Sequence, residues 1–191
     1  MSEPILILGI AGSLRSQSYN KAVLRAAREL LPADTTLDIF DLGGIPPFNQ
    51  DQELAPPAPV VELKRRIRAA DAILFATPEY NYSMPGVLKN AIDWASRPYG
   101  DSAWNGKPVA LVSASVGMFG GVRAQYHLRQ CFVFLNMDAV LQPELAIADA
   151  ASKFDSQGKL THEPTRQLLA QLLQKLVAKA RAAKSPQRVA A

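Results

Sequence analysis

Three short stretches of the 191-residue chain carry residue types that could do chemistry together. The first is Gly12-Ser13-Leu14-Arg15-Ser16-Gln17-Ser18-Tyr19-Asn20. Ser13, Ser18 and Asn20 offer short polar groups, and the Arg15 guanidinium can grip two phosphate oxygens at once. Where a strand hands over to a helix, such a loop turns free backbone N–H groups and the positive end of the helix dipole toward an anion. Each charge-assisted hydrogen bond is worth about 1.5–3 kcal/mol net, so a few of them hold a phosphate monoester. The same residues also read as a helix cap at Ser18 beside a solvated Arg15, and the loop alone leaves both readings open. It carries no G-x-G-x-x-G, and the chain has no G-x-x-x-x-G-K-[ST], which argues against a P-loop NTPase.

The second stretch, Pro78-Glu79-Tyr80-Asn81-Tyr82-Ser83, sets two tyrosines between Pro78 and Pro85, which stiffen it. Aromatic faces and backbone groups at a strand end suit a flat heteroaromatic ring, though the tyrosines would equally fill a surface or an interface. Glu79 reads either as a ligand contact or as a solvated carboxylate, and nothing assigns it as an acid or a base. The third stretch runs from Ser113 to Gly121 and is rich in glycine, which lets backbone approach a ligand closely. Ser115 and Gly117 could meet the other edge of the same ring, or the glycines could simply serve the entry of the next helix.

The elements that must position these stretches are legible in the hydrophobic pattern. Continuous apolar runs at Ile5–Ile10, Ala72–Thr77 and Pro108–Ala114 read as strands covered on both faces, hence a parallel sheet. Leu37–Phe40 is a more alternating strand, nearer an edge, and a last strand is expected within Val140–Ala148. Helical spacing marks Tyr19–Leu31 (stopped by Pro32), Val60–Ala70, Gly86–Ala95 and Val122–Leu135. A final helix starts near Pro164 and carries Leu168, Leu169, Leu172, Leu173, Leu176 and Val177 on one stripe. Gly43–Pro59 and Arg97–Lys107 are loops. Strands alternating with helices predict a doubly wound α/β domain over residues 1–183, with five parallel strands, helices on both faces and a frayed tail at 184–191. In such sheets ligands sit beyond the carboxyl ends of the strands, where all three stretches fall.

Composition excludes other classes. Hydrophobic residues make up 48% and charged residues 20%, enough for a packed core. The net charge of +4 is spread without a dense basic block, which favours anionic small ligands over nucleic acid. The apolar run at Ile5–Ile10 is too short to span a membrane, and the acidic N-terminus has no basic leader region. A single cysteine, Cys131, permits no internal disulfide and fits a reducing, cytoplasmic setting; in its apolar run it reads as a small buried hydrophobe. His127 and His162 have no partners at metal-ligand spacing, so no metal is expected.

Taken together, these stretches resemble the NADPH-dependent FMN reductase family, which includes bacterial quinone, azo-dye and chromate reductases. The resemblance rests on Gly12-Ser13-Leu14-Arg15 with Ser18 and Asn20, and on Thr77 through Gly86. It continues through Leu88-Lys89-Asn90-Ala91-Ile92-Asp93-Trp94, then Gly120-Gly121, Arg123 and Gln125 to Gln130. It implies a flavodoxin-like fold, bound FMN, and NADPH or NADH as hydride donor. Ser13, Arg15, Ser18, Tyr19 and Asn20 would hold the FMN phosphate and ribityl end; Pro78, Glu79, Tyr80 and Asn81 would line the isoalloxazine, with Ser115 and Gly117 nearby. It also implies a two-step exchange: hydride passes to the flavin N5, then electrons pass to a quinone or similar acceptor. The flavin carries the hard chemistry, so no dedicated catalytic residue is named. Homodimers or homotetramers follow from the same resemblance, with Tyr82, Met84 and the helix from Arg123 against a partner chain. Met84 stands where the family often has Val, and Arg97, Lys107 and Arg123 are the candidate readers of a ribose phosphate. The main rival is a flavodoxin-like electron carrier without a substrate site; such carriers tend to be acidic. A second is a non-enzymatic α/β binding domain.

Overall fold

The three continuous apolar runs form the middle of one parallel sheet, as strands flanked by helices on both faces must. The structure, a computed structural model, describes residues 3–185. The central strands are β1 (Ile5–Ala11), β3 (Ala72–Thr77) and β4 (Pro108–Ala114). The more alternating run is β2 (Thr35–Phe40), which lies at the edge beside β1. The order is β2-β1-β3-β4-β5, so the fold is the flavodoxin-like doubly wound sheet, with its switch of direction between β1 and β3.

The fifth position holds the strand expected within Val140–Ala148 and one further piece ahead of it. It holds two short pieces, β5 (Asp138–Ala139) and β6 (Leu145–Ile147), each pairing with β4. After Val140, whose amide still donates to the Val109 carbonyl at 2.8 Å, the chain leaves the sheet, passes through Pro143 and returns as β6.

Helices α1 (Tyr19–Glu29) and α5 (Glu163–Lys184) cover one face; α2 (Ala58–Ala69), α3 (Gly86–Ala95) and α4 (Val122–Phe134) cover the other. Helix α2 begins two residues before the expected Val60 because Pro59 sits in its first turn, where a missing N–H costs nothing. Helix α1 stops at Glu29, short of the expected Leu31, and Leu30 caps it. On α5, Leu169, Leu172, Leu173, Leu176 and Val177 are buried, at about 1.5–3 kcal/mol of transfer free energy each. Leu168, expected on that stripe, points outward instead, with 39% of its surface exposed. Lys184, expected in the tail, is the last residue of α5, and its Nζ lies 3.0 Å from Asp71 Oδ1. Residues 186–191 of that expected tail lie outside the described residues. Cys131 is half-buried rather than buried, and desolvation there pushes its thiol pKa up.

Parallel pairing aligns the strand ends. Ala11 pairs with Ala76, Thr77 with Ser113, and Ala114 with Ile147, so the three loops of interest leave the sheet on one rim.

Candidate functional site

On that rim lies a cleft of about 250 Å³. Its lining includes Ser13, Arg15, Ser18, Tyr19 and Asn20 from the loop after β1, Pro78, Glu79 and Tyr80 after β3, and Ser115 after β4. Ala114 and Val116 complete it; Asn81 and Gly117 lie beside it without lining it. A cavity of about 340 Å³, bounded by Arg97, Tyr99 and Phe134 among others, sits where α3 and α4 end. That is the opposite end of the strands, away from all three loops.

The two readings of the first loop prove compatible. Ser18 is the N-cap of α1: its Oγ accepts from the amides of Asn20 at 3.2 Å and Lys21 at 3.5 Å. A hydroxyl that accepts still has its O–H to donate, so the capping side chain can also bond an anion in the cleft. The Ser13 Oγ accepts from the Arg15 amide at 3.3 Å and keeps its own donor in the same way. Arg15 is exposed, and one guanidinium N–H donates to the Gln17 carbonyl at 2.6 Å, which folds the side chain back over its own loop. Four of its five donors remain. Gly12 makes the close approach possible: a Cβ there would stand 2.8 Å from Thr77 Oγ1, between β1 and β3. The result is a loop of free donors at a helix N-terminus, the arrangement a phosphate monoester requires.

Asn20 is a brace more than a free donor. Its Nδ2 donates to the Ala114 carbonyl at 3.0 Å and its Oδ1 accepts the Ala114 amide at 2.9 Å. The buried amide thus ties the start of α1 to the end of β4. Tyr19 tilts its ring onto Phe154, centroids 5.3 Å apart, which fixes the wall below.

The second loop is a tight hairpin. The Tyr80 amide donates to the Ser83 carbonyl at 2.9 Å and the Ser83 amide returns to Tyr80 at 3.0 Å. Asn81 and Tyr82 form the turn at φ 49° and 67°. Asn tolerates that region, but a tyrosine there is strained and persists only where its surroundings hold it. The two backbone bonds close the turn, and the Arg123 guanidinium lies 3.9 Å from the Tyr82 ring centroid. Beside the same hairpin, the Ser83 Oγ lies 2.9 Å from His127 Nδ1.

Glu79 has a definite structural task. Helix α4 enters through Gly121 with no side-chain cap of its own. The Glu79 carboxylate supplies one from outside, accepting the Arg123 amide at 3.0 Å, and its other oxygen lies 3.2 Å from the Arg123 guanidinium. A carboxylate at a helix N-terminus is favoured by the dipole as well as by the bond. Arg123 is therefore engaged, while Arg97 pairs with Glu53 and Lys107 donates to the Arg68 and Ala70 carbonyls. Arg97 and Lys107 lie on the connection to the amino end of β4, away from the rim.

The third loop spends its amides differently from expectation. The Ser115 amide donates to Ile147 at 3.0 Å and the Gly117 amide to Ser115 Oγ at 3.1 Å, so neither is free for a ligand. Ser115 reaches the cleft through its hydroxyl. The Val116 amide has no protein partner among the described residues and lines the cleft beside it. Sequence reasoning passes over Val116 because only its backbone matters. Beneath the loop, buried Gln125 donates to Ser113 Oγ at 2.7 Å and to the Leu145 carbonyl at 2.9 Å, and Ser113 donates to the Gly120 carbonyl at 2.6 Å.

The fold is thus an α/β protein of the doubly wound class, with a crevice at the carboxyl rim of its sheet. Residues 5–152 match the family model described as NADPH-dependent FMN reductase. The chain is 52% identical over 177 residues to an NAD(P)H-dependent FMN reductase of Pseudomonas aeruginosa, covering 92% of this chain and 95% of that one. It is 46% identical over 180 residues to an NAD(P)H:quinone oxidoreductase of Solanum tuberosum, covering 90% and 91%. Among solved structures, the flavoenzyme NAD(P)H:(acceptor) oxidoreductase FerB of Paracoccus denitrificans superposes with a TM-score of 0.86 at 34% identity, covering 94% of this chain and 98% of that one. The chain belongs to the NADPH-dependent FMN reductase family: it is an oxidoreductase that works with FMN and a reduced nicotinamide.

Proposed function

We propose that the rim cleft holds FMN, with its phosphate in the loop after β1 and its ring between the hairpin after β3 and the Ser115–Val116 segment. The observation that carries this reading is the loop of unspent donors at Ser13, Arg15 and Ser18, at the N-terminus of α1. Hydride acceptance from NADPH or NADH and delivery of electrons to an acceptor are the chemistry that bound FMN supplies. The chain's own part is placement. Ser13, Arg15 and Ser18 anchor the phosphate; Tyr19 and Asn20 hold the ribityl side through a braced helix start. Pro78, Glu79, Tyr80 and Asn81 frame one edge of the ring with a stiff backbone, and the Ser115 hydroxyl and Val116 amide face the other.

The acceptor in this reading is a quinone or a similarly flat small molecule. The mouth is flanked by exposed apolar side chains at Tyr80, Val116, Met118 and Phe119, which suit an apolar ring. Mixing the flavin-loaded protein with NADPH or NADH in a stopped-flow cell is expected to bleach the visible flavin band, and a quinone to restore it. A flavin that stays oxidised with both nucleotides would remove the enzyme reading in favour of an electron carrier.

The active form in this reading is a homodimer or homotetramer in the cytoplasm. A lone cysteine suits a reducing compartment. No helix among the described residues is long and apolar enough to cross a membrane. Tyr126, Val133 and Phe134 stand exposed along α4, with Val133 84% and Phe134 76% accessible, as a face that buries against a second copy would be. Phe134→Glu is expected to shift the protein toward monomer in light scattering; an unchanged mass would place the contact elsewhere.

A further inference from the structure

We propose that Arg123 is a positioning residue that fixes the ring end of the cleft by clamping three chain segments on one guanidinium. This rests on the reading of the cleft as the flavin site. The guanidinium lies 3.9 Å from the Tyr82 centroid and 4.4 Å from the Phe119 centroid. Its end reaches Glu79 Oε1 at 3.2 Å, and its own amide donates to Glu79 Oε2 at 3.0 Å. One side chain thus joins the hairpin after β3, the glycine-rich loop after β4 and the start of α4. The first two of those are the walls that face each other across the ring end.

Hydrogen bonds close each wall on itself, Tyr80 with Ser83 and Gly120 with Gly117, but among the described residues none joins one wall to the other. Tyr82 and Phe119 are 69% and 55% exposed, and neither ring makes an aromatic contact with another among the described residues. Tyr82 also sits at φ 67°, a conformation that needs external support. Two rings and a carboxylate meet this one guanidinium, which orients it between the walls. Only a planar cation can meet two rings and a carboxylate in this way; a lysine keeps the charge and loses the plane.

The role makes a demand that a phosphate ligand would not. A clamp on the ring end acts on the isoalloxazine, so it must affect riboflavin and FMN alike. Apoprotein titrated with each flavin, followed by fluorescence quenching, is the test. Arg123→Lys is expected to weaken both flavins by the same factor, about threefold, the scale of a cation–π contact to an exposed ring. It should lower kcat/KM for quinone reduction to a similar degree. Tyr82→Phe, which keeps the ring face, should retain more flavin affinity than Tyr82→Leu. Equal affinities in Arg123→Lys and the parent protein would overturn the role, as would a loss confined to FMN or a lowered melting temperature with unchanged flavin affinity. Should Arg123→Lys fail to fold, the Tyr82 pair decides: equal affinities for Phe and Leu would overturn the clamp. A parent protein that binds neither flavin would instead overturn the cleft assignment on which the role depends.

Discussion

Arg15→Ala weakens FMN binding by roughly ten- to a hundred-fold and leaves riboflavin binding where it was. The reasoning is local. Arg15 is exposed and makes no core contact, so truncating it leaves the fold intact. Its one hydrogen bond to the protein among the described residues, the 2.6 Å contact with the Gln17 carbonyl, is surface-exposed and contributes little. Against a phosphate dianion the same side chain offers bidentate, charge-assisted bonds worth about 1.5–3 kcal/mol, which is the stated range in affinity. Riboflavin lacks the phosphate, so its affinity isolates the ring and ribityl contacts. Titration of the two apoproteins with both flavins is the measurement. Unchanged FMN affinity would mean that the phosphate is held elsewhere, and an equal loss for both flavins would mean that Arg15 supports the ring instead.

Gly120→Ala is expected to lower stability by on the order of 3 kcal/mol, about 10 °C in melting temperature for a chain of this size, and to lose flavin with it. Gly120 adopts φ 58°, where an added Cβ costs about 1–2 kcal/mol. That Cβ would also stand 2.8 Å from Ala146 C and from Ala148 N, which are backbone atoms of the β6 segment and its exit. Backbone paired to β4 cannot step aside as a flexible side chain could. Relief would have to come from the glycine-rich loop, breaking the 2.6 Å bond from Ser113 to the Gly120 carbonyl. The smaller entropy of the unfolded alanine chain returns only about 0.4–1 kcal/mol. Gly86→Ala is the matched control: nothing lies within 4 Å of a Cβ there, and the residue opens α3. A Gly120→Ala melting point within about 2 °C of the control would show that β6 is looser than its pairing implies.

Much of this is legible in the sequence. The apolar runs at Ile5, Ala72 and Pro108 could only be strands covered on both faces, because an alternating pattern would be needed for a half-exposed sheet. Their alternation with helices then placed the three loops on one rim. The last strand falls where the apolar content puts it, within Val140–Ala148, but two residues are too short a run to announce β5 at Asp138–Ala139 ahead of it. Leu168 departs from its stripe, at 39% exposed, because helical spacing defines a stripe but not how much of it a neighbouring sheet covers.

At the cleft, residue type and spacing by themselves determined which loops hold donors and which hold aromatic faces, because strand direction and helix polarity follow from local pattern. Only the tertiary structure decided what each group is free to do. Ser18 caps and can still donate, Asn20 is consumed as a brace to Ala114, Glu79 caps a helix 44 residues away, and Val116 presents a bare amide. Hydrogen-bond partners distant in sequence set those assignments, and a donor's availability is a property of its partners, which no local window contains.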